Sequence, residues 1–226
     1  MEIWLDDRMA EQQFREIILR LQRYKSGEVA DNMKLHGAVY KMNWGVPLVS
    51  LREIAREYNS SHVLALKLWN RQWRETMILA TLLDKPDQVT EQQMDYWTRS
   101  FENAEMAEQA SANLWWRTPF AYAKAMEWCR GKKHWIRYTA VHLTGRLALA
   151  DKKSPDEMFD PFWEEFTPLA RDPNLSSVLY RTVIIMANRS EYLHGMTKEW
   201  IISLMGDNSP NTLQLAGELE KGITFS

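Results

Sequence analysis

The sequence predicts an all-α protein, built as a curved stack of antiparallel helix pairs. Three observations predict it: apolar residues recur at steps of three and four, helix breakers are scarce, and related strings return along the chain. Nine glycines and eight prolines among 226 residues fall below the roughly 12% that average proteins give to the pair. No stretch of strict apolar–polar alternation, the mark of a half-buried strand, interrupts the helical spacing.

Taken in order, Phe14, Ile17, Ile18, Leu21 and Tyr24 form a first helical stripe, and Leu48, Leu51, Ala55 and Tyr58 a second. Thr90-x-x-Gln93 reads as a capping box. Thr118-Pro119 and Ser154-Pro155 each offer a hydroxyl cap followed by proline at the first helical position, and Glu157 follows Ser154 by three. Ile136, Ala140, Leu143, Leu147 and Ala150 form a third stripe. Asp172-Pro173-Asn174 and Ser209-Pro210 mark two further breaks. This spacing predicts about eleven or twelve helices of roughly 10–20 residues, joined by short turns. No segment has the composition of a linker, so a single domain over residues 1–226 is expected.

Repeats favour a stack over a simple bundle. Strings beginning at Gln72, His134 and Ser177 share one form: a large apolar residue, then charge, then threonine followed by at least two apolar residues. The last two start 43 residues apart, within the roughly 40–47 of two-helix HEAT or armadillo repeats. The first two are 62 apart, so the period is irregular.

Composition removes several classes of function. Basic residues number 28 against 30 acidic, giving a net charge of −2, and the isoelectric point is near 6.2. That balance argues against coating nucleic acid through bulk charge. An apolar fraction of 45% with mean hydropathy −0.46 excludes both a disordered chain and a membrane protein. The opening Met-Glu-Ile-Trp-Leu-Asp-Asp-Arg lacks the basic start and apolar core of a signal peptide. The lone Cys129 agrees with a reducing cytoplasm. The five histidines have no metal-ligand spacing, and no glycine-rich phosphate loop occurs, so neither a metal nor a cofactor is expected.

Leu64 to Leu83, LALKLWNRQWRETMILATLL, resembles the DNA alkylation repair family, alkylpurine DNA glycosylases built from HEAT-like repeats. Leu68-Trp69, Glu75 and Ala80 carry the likeness. Gly45, Pro47, Leu51, Arg52, Ile54 and Ala55 match the preceding family element, and Lys133-His134-Trp135 to Leu143 a later one. The likeness spans roughly residues 30–190 and implies a C-shaped HEAT-like solenoid holding duplex DNA on its concave face. It also implies hydrolysis of the N-glycosidic bond of alkylated purines, in which a fixed carboxylate stabilises the cationic sugar.

On this resemblance Glu108 takes the carboxylate position. Ala104 and Ile185 fall where the family has tryptophans, and Tyr138 where it has an arginine, with Arg137 one residue before. Arg146 lies near a family basic position. Residues 104–150 hold seven basic side chains, Lys132 and Lys133 among them, against three acids. A basic groove for alkylated duplex DNA is therefore expected. Adjacent indoles cannot both face one core, so Trp115 or Trp116 should line a contact surface, and Tyr138 is a candidate to supply an aromatic wall beside Glu108. Glu105, one turn from Glu108, reads either as its partner or as a solvated acid. The expected function is DNA binding, with glycosylase activity resting on Glu108. The alternative is a non-catalytic module that binds DNA or a protein partner.

Overall fold

The computed structural model describes residues 7–224, so the opening Met1–Asp6 string lies outside it. Within the described residues there are thirteen α-helices, three short 3-10 turns and no strand. They divide into two compact units, Met1–Thr118 and Pro119–Ser226.

The first unit holds α1 (Arg8–Arg23), α2 (Gly27–Leu35), α3 (Leu48–Arg56), α4 (His62–Asn70), α5 (Arg74–Leu83), α6 (Glu91–Arg99) and α7 (Ala104–Asn113), closed by a turn at Trp115–Arg117. α1 packs on α4, α4 on α5, and α5 on both α3 and α7. Ile17 and Leu21 bury the first predicted stripe, and Leu51 and Ala55 the second. α2 buries no residue. It carries no apolar stripe, which is why the spacing undercounted the helices. Gly45 holds it close: its φ is +70° and a Cβ there would collide with the Ser26 carbonyl oxygen. At the centre Trp69 of α4 and Trp97 of α6 stack in parallel at 3.9 Å. Trp115 continues the row, 5.5 Å from Trp97.

The second unit holds α8 (Ala121–Cys129), α9 (His134–Ala150), α10 (Asp160–Leu169), α11 (Ser176–Ala187), α12 (Glu191–Met205) and α13 (Pro210–Thr224), with 3-10 turns before α10 and α11. α9 lies between α8 and α11 and is buried nearly all round. Gly145 permits the close approach to α11, since a Cβ would meet Thr182 Oγ1 at 2.8 Å. Thr182 donates to the Val141 carbonyl, and Arg181 donates to the Tyr138 hydroxyl. Tyr138 and Arg181 are equivalent positions of the two strings 43 residues apart, so the repeat seen in the sequence becomes the packing seam.

The caps divide between confirmation and correction. Thr90 accepts from the Gln93 N–H as expected, but the Gln93 side chain turns to Asp84 instead of closing the box. Pro210 opens α13. Thr118 caps nothing: its hydroxyl donates back to the Trp115 carbonyl, which the preceding 3-10 turn exposes, and α8 starts at Ala121. Ser154 likewise bonds to Asp151, and only a 3-10 turn follows Pro155.

Candidate nucleic-acid interface

In the first unit, Asn103 caps α7 by accepting from the Met106 N–H, which sets Glu105 and Glu108 one turn apart on that helix. Glu105 is not a solvated acid. Arg74 grips it with two parallel bonds of 2.8 and 2.7 Å, and the Tyr40 hydroxyl donates to it at 2.6 Å. Arg74 is only 2% exposed and donates also to the Val46 carbonyl and to Glu75. Glu75, at 0% exposure, accepts the Trp44 and Val46 N–H groups that lead into α3.

Burial opposes the Arg74 charge, but Glu105 and Glu75 more than offset it and raise its pKa. Burial, with Glu105 adding to it, pushes the Tyr40 phenol far above its ordinary range. Tyr40 therefore remains a donor. The family-like glutamate of the sequence, Glu75, is thus a structural anchor, and Glu105 belongs to the same network. Glu108 is half-buried.

A cavity of about 250 Å³ adjoins the start of α7, lined by Tyr40, Lys41, Gln72, Asn103 and Met106 among others. Gln72 has φ +57°, in the left-handed region, which costs an L residue roughly 1–2 kcal/mol. Its side chain recovers part of this by donating to the Trp69 carbonyl.

Two aromatic candidates prove to be core. Trp115 is 0% exposed, so of the adjacent indoles it is the one that faces inward. Trp116 is half-buried, its Nε1 donating to the Ala112 carbonyl. Tyr138 is 7% exposed. Its ring packs against Trp135 at 5.4 Å and its hydroxyl is held by Arg181. The expectation of an exposed aromatic wall at Tyr138 is thereby corrected, since its ring fills a packing seam in its own unit as Trp115 does, and Trp116 is left as the outer indole of the adjacent pair.

The basic candidates divide by partner. Lys132 and Lys133 are exposed at the turn into α9. Lys133 occupies the N-cap position there, with no side-chain hydrogen bond to the helix. Arg137, one turn on, pairs with Asp172 at 3.1 Å, and Arg146 is half-buried. Lys124 and Arg130 pair with Glu127 and Glu165. Pairing thus offsets part of the regional positive charge counted in the sequence. Burial holds the neighbouring His134 below the ordinary imidazole range, against the pull of Asp172. Sequence reasoning missed Arg74 and Arg181. The only hint of the first was an Arg-Glu pair heading an otherwise apolar helix, and nothing marked the second.

The family model described as DNA alkylation repair enzyme matches residues 17–163. A search of curated proteins finds no match. Among solved structures, one described as a new family of proteins related to the HEAT-like repeat DNA glycosylases with affinity for branched DNA structures superposes with a TM-score of 0.74. It covers 92% of this chain and 94% of the other at 14% identity, which establishes a common HEAT-like repeat fold. With the family model extending over well more than half of its length, the chain belongs to the DNA alkylation repair enzyme family.

Proposed function

We propose that this protein binds DNA through its sugar–phosphate backbone and acts as a binding module rather than as a glycosylase. One observation carries the DNA contact: exposed Lys132 and Lys133 stand at the uncapped start of the 17-residue α9. Free N–H groups and the positive end of the helix dipole attract a phosphate there. The two lysines add point charges. Arg137 can exchange its bond to Asp172 for a second phosphate.

The reading against catalysis rests on the walls of the family site. Glu108 stands beside Ala104, and the candidate aromatics Trp115 and Tyr138 are buried. A carboxylate without surfaces to position the sugar loses the orientation on which its charge depends, and misplacement by an ångström costs on the order of 100-fold. The relative of known structure is described as having affinity for branched DNA. Transferred to this chain, that affinity makes a four-way junction the preferred ligand over linear duplex.

The test is a titration of both DNAs over a range of salt. Affinity should fall with a log–log slope of about 0.9 per phosphate neutralised, and the double variant Lys132→Ala/Lys133→Ala should flatten the slope by about 2. An unchanged slope would refute the contact. Release of 3-methyladenine or 7-methylguanine from methylated DNA, lost in Glu108→Gln, would instead establish the hydrolase and place Glu108 at its centre.

A further inference from the structure

A groove of about 420 Å³ opens between α4 and α6, within the roughly 300–1,000 Å³ typical of small-ligand clefts. α4 lines it with His62, Leu66 and Asn70, spaced four apart and so on one face. α6 contributes Gln92, Tyr96 and Trp97. Trp97 is 1% exposed and locked in place by its stack on Trp69, whereas Tyr96 is 63% exposed. None of these residues belongs to the α7 carboxylates or to the start of α9.

The polar groups are arranged, not scattered. Asp84, 1% exposed, holds His62 Nδ1 at 2.7 Å. It also accepts from Gln93 Nε2 at 2.6 Å and from the Lys85 N–H. A carboxylate fixed on Nδ1 sets the orientation of the imidazole and leaves Nε2 as its remaining hydrogen-bonding atom. Nε2 accepts when the ring is neutral and donates when it is charged. Asn70 and Gln92 add two exposed carboxamides, each with a donor and an acceptor side by side. No lysine or arginine lines the groove, so a phosphate group is not what it is built to hold.

We propose that this groove binds a planar nitrogen heterocycle of the nucleobase type. The ring lies against Leu66 and the exposed Tyr96, over a floor closed by the buried Trp97, and its polar edge is read by His62 and the two carboxamides. Carboxamides pair with base edges in a two-point geometry, and aromatic side chains stack with any base face. Such a ring can come from a free nucleoside or from an unpaired base in a strand. The proposal does not depend on the DNA contact at α9.

The test titrates adenosine and cytidine into the full chain by calorimetry, with 2-deoxyribose as control. At least one nucleoside should bind saturably and the sugar should not. Leu66→Trp, which fills the groove, should weaken binding at least tenfold, and His62→Gln several-fold. Tyr96→Ala, at an exposed position that leaves folding intact, should weaken it as well. Competition of bound nucleoside by a duplex carrying one bulged adenine or cytosine, matched to the nucleoside that binds, but not by the fully paired duplex, identifies the strand as a source. Failure of the bulged duplex to compete identifies the free nucleoside. Absence of saturable binding by either nucleoside, or equal binding by Leu66→Trp and Tyr96→Ala variants that melt like the parent, overturns the proposal.

Discussion

Replacing Arg74 by methionine should be among the most damaging single changes in the first unit. The guanidinium is 2% exposed and donates to Glu105, to the Val46 carbonyl and to the fully buried Glu75. Methionine keeps much of the volume but removes the cation that donates to Glu75, whose other bonds come from two backbone N–H groups. Breaking a buried pair from one side costs about 3–5 kcal/mol, because a charge is left unpaired. The Glu105 carboxylate is 19% exposed, so water rescues part of that arm, and a loss near 3 kcal/mol is expected. At about 2–4 °C per kcal/mol for a chain of this size, the melting temperature should fall by roughly 6–12 °C. Adding Glu75→Gln keeps an acceptor for Trp44 and Val46 while removing the orphaned charge. The double variant should therefore be more stable than the sum of the single losses by more than about 0.5 kcal/mol. Thermal and urea unfolding, followed by circular dichroism and tryptophan fluorescence, measure both quantities. Strict additivity, or an Arg74→Met loss below about 1 kcal/mol, would refute the network as described.

Other outcomes follow from the same geometry. Trp97→Ala should cost about 3–5 kcal/mol, since the ring stacks on Trp69 and touches Trp115, and a loss under 1 kcal/mol in urea would contradict the packing. Burial pushes the Cys129 thiol up to about 12, so at pH 8 it should resist Ellman's reagent in the folded protein and react fully in urea. In the second unit the Ser190 and Arg189 side chains hold the Asp156 carboxyl below its ordinary pKa. That stability is complete above about pH 4 and is lost as the pH falls through the folded value. Asp156→Asn should accordingly remove part of the acid limb of the pH–stability curve, and an unchanged limb would count against the pairing.

The fold was legible because its determinants are local. The stripes through Ile17 and Leu21 and through Leu51 and Ala55 bury as their spacing predicts, and the two strings 43 residues apart become the α9–α11 seam. What escaped depends on partners distant in sequence. Glu105 looks like a surface acid until Arg74, 31 positions earlier, folds against it. Counting basic residues between 104 and 150 suggests a strongly positive surface. Arg130 and Arg137, however, find Glu165 and Asp172, acids that lie outside that window. Adjacency alone leaves open which of Trp115 and Trp116 faces the core, and only the row formed with Trp97 decides it. Thr118 shows the same limit at short range, since a hydroxyl before proline caps a helix only when no nearer carbonyl is free to take its proton.

The indole row also bears on how the first unit comes apart. Trp69 lies on α4, Trp97 on α6 and Trp115 on the turn after α7, so the central ring is shared by two interfaces. Detaching α6 exposes both at once, and detaching either neighbour uncovers the ring that supports the other. Local fraying of these segments therefore carries nearly the cost of opening all of them. In native-state hydrogen exchange, the amides of α4, α6 and the end of α7 should merge into one isotherm, a single cooperative foldon, while α2, which buries nothing, exchanges far earlier by its own small fluctuations.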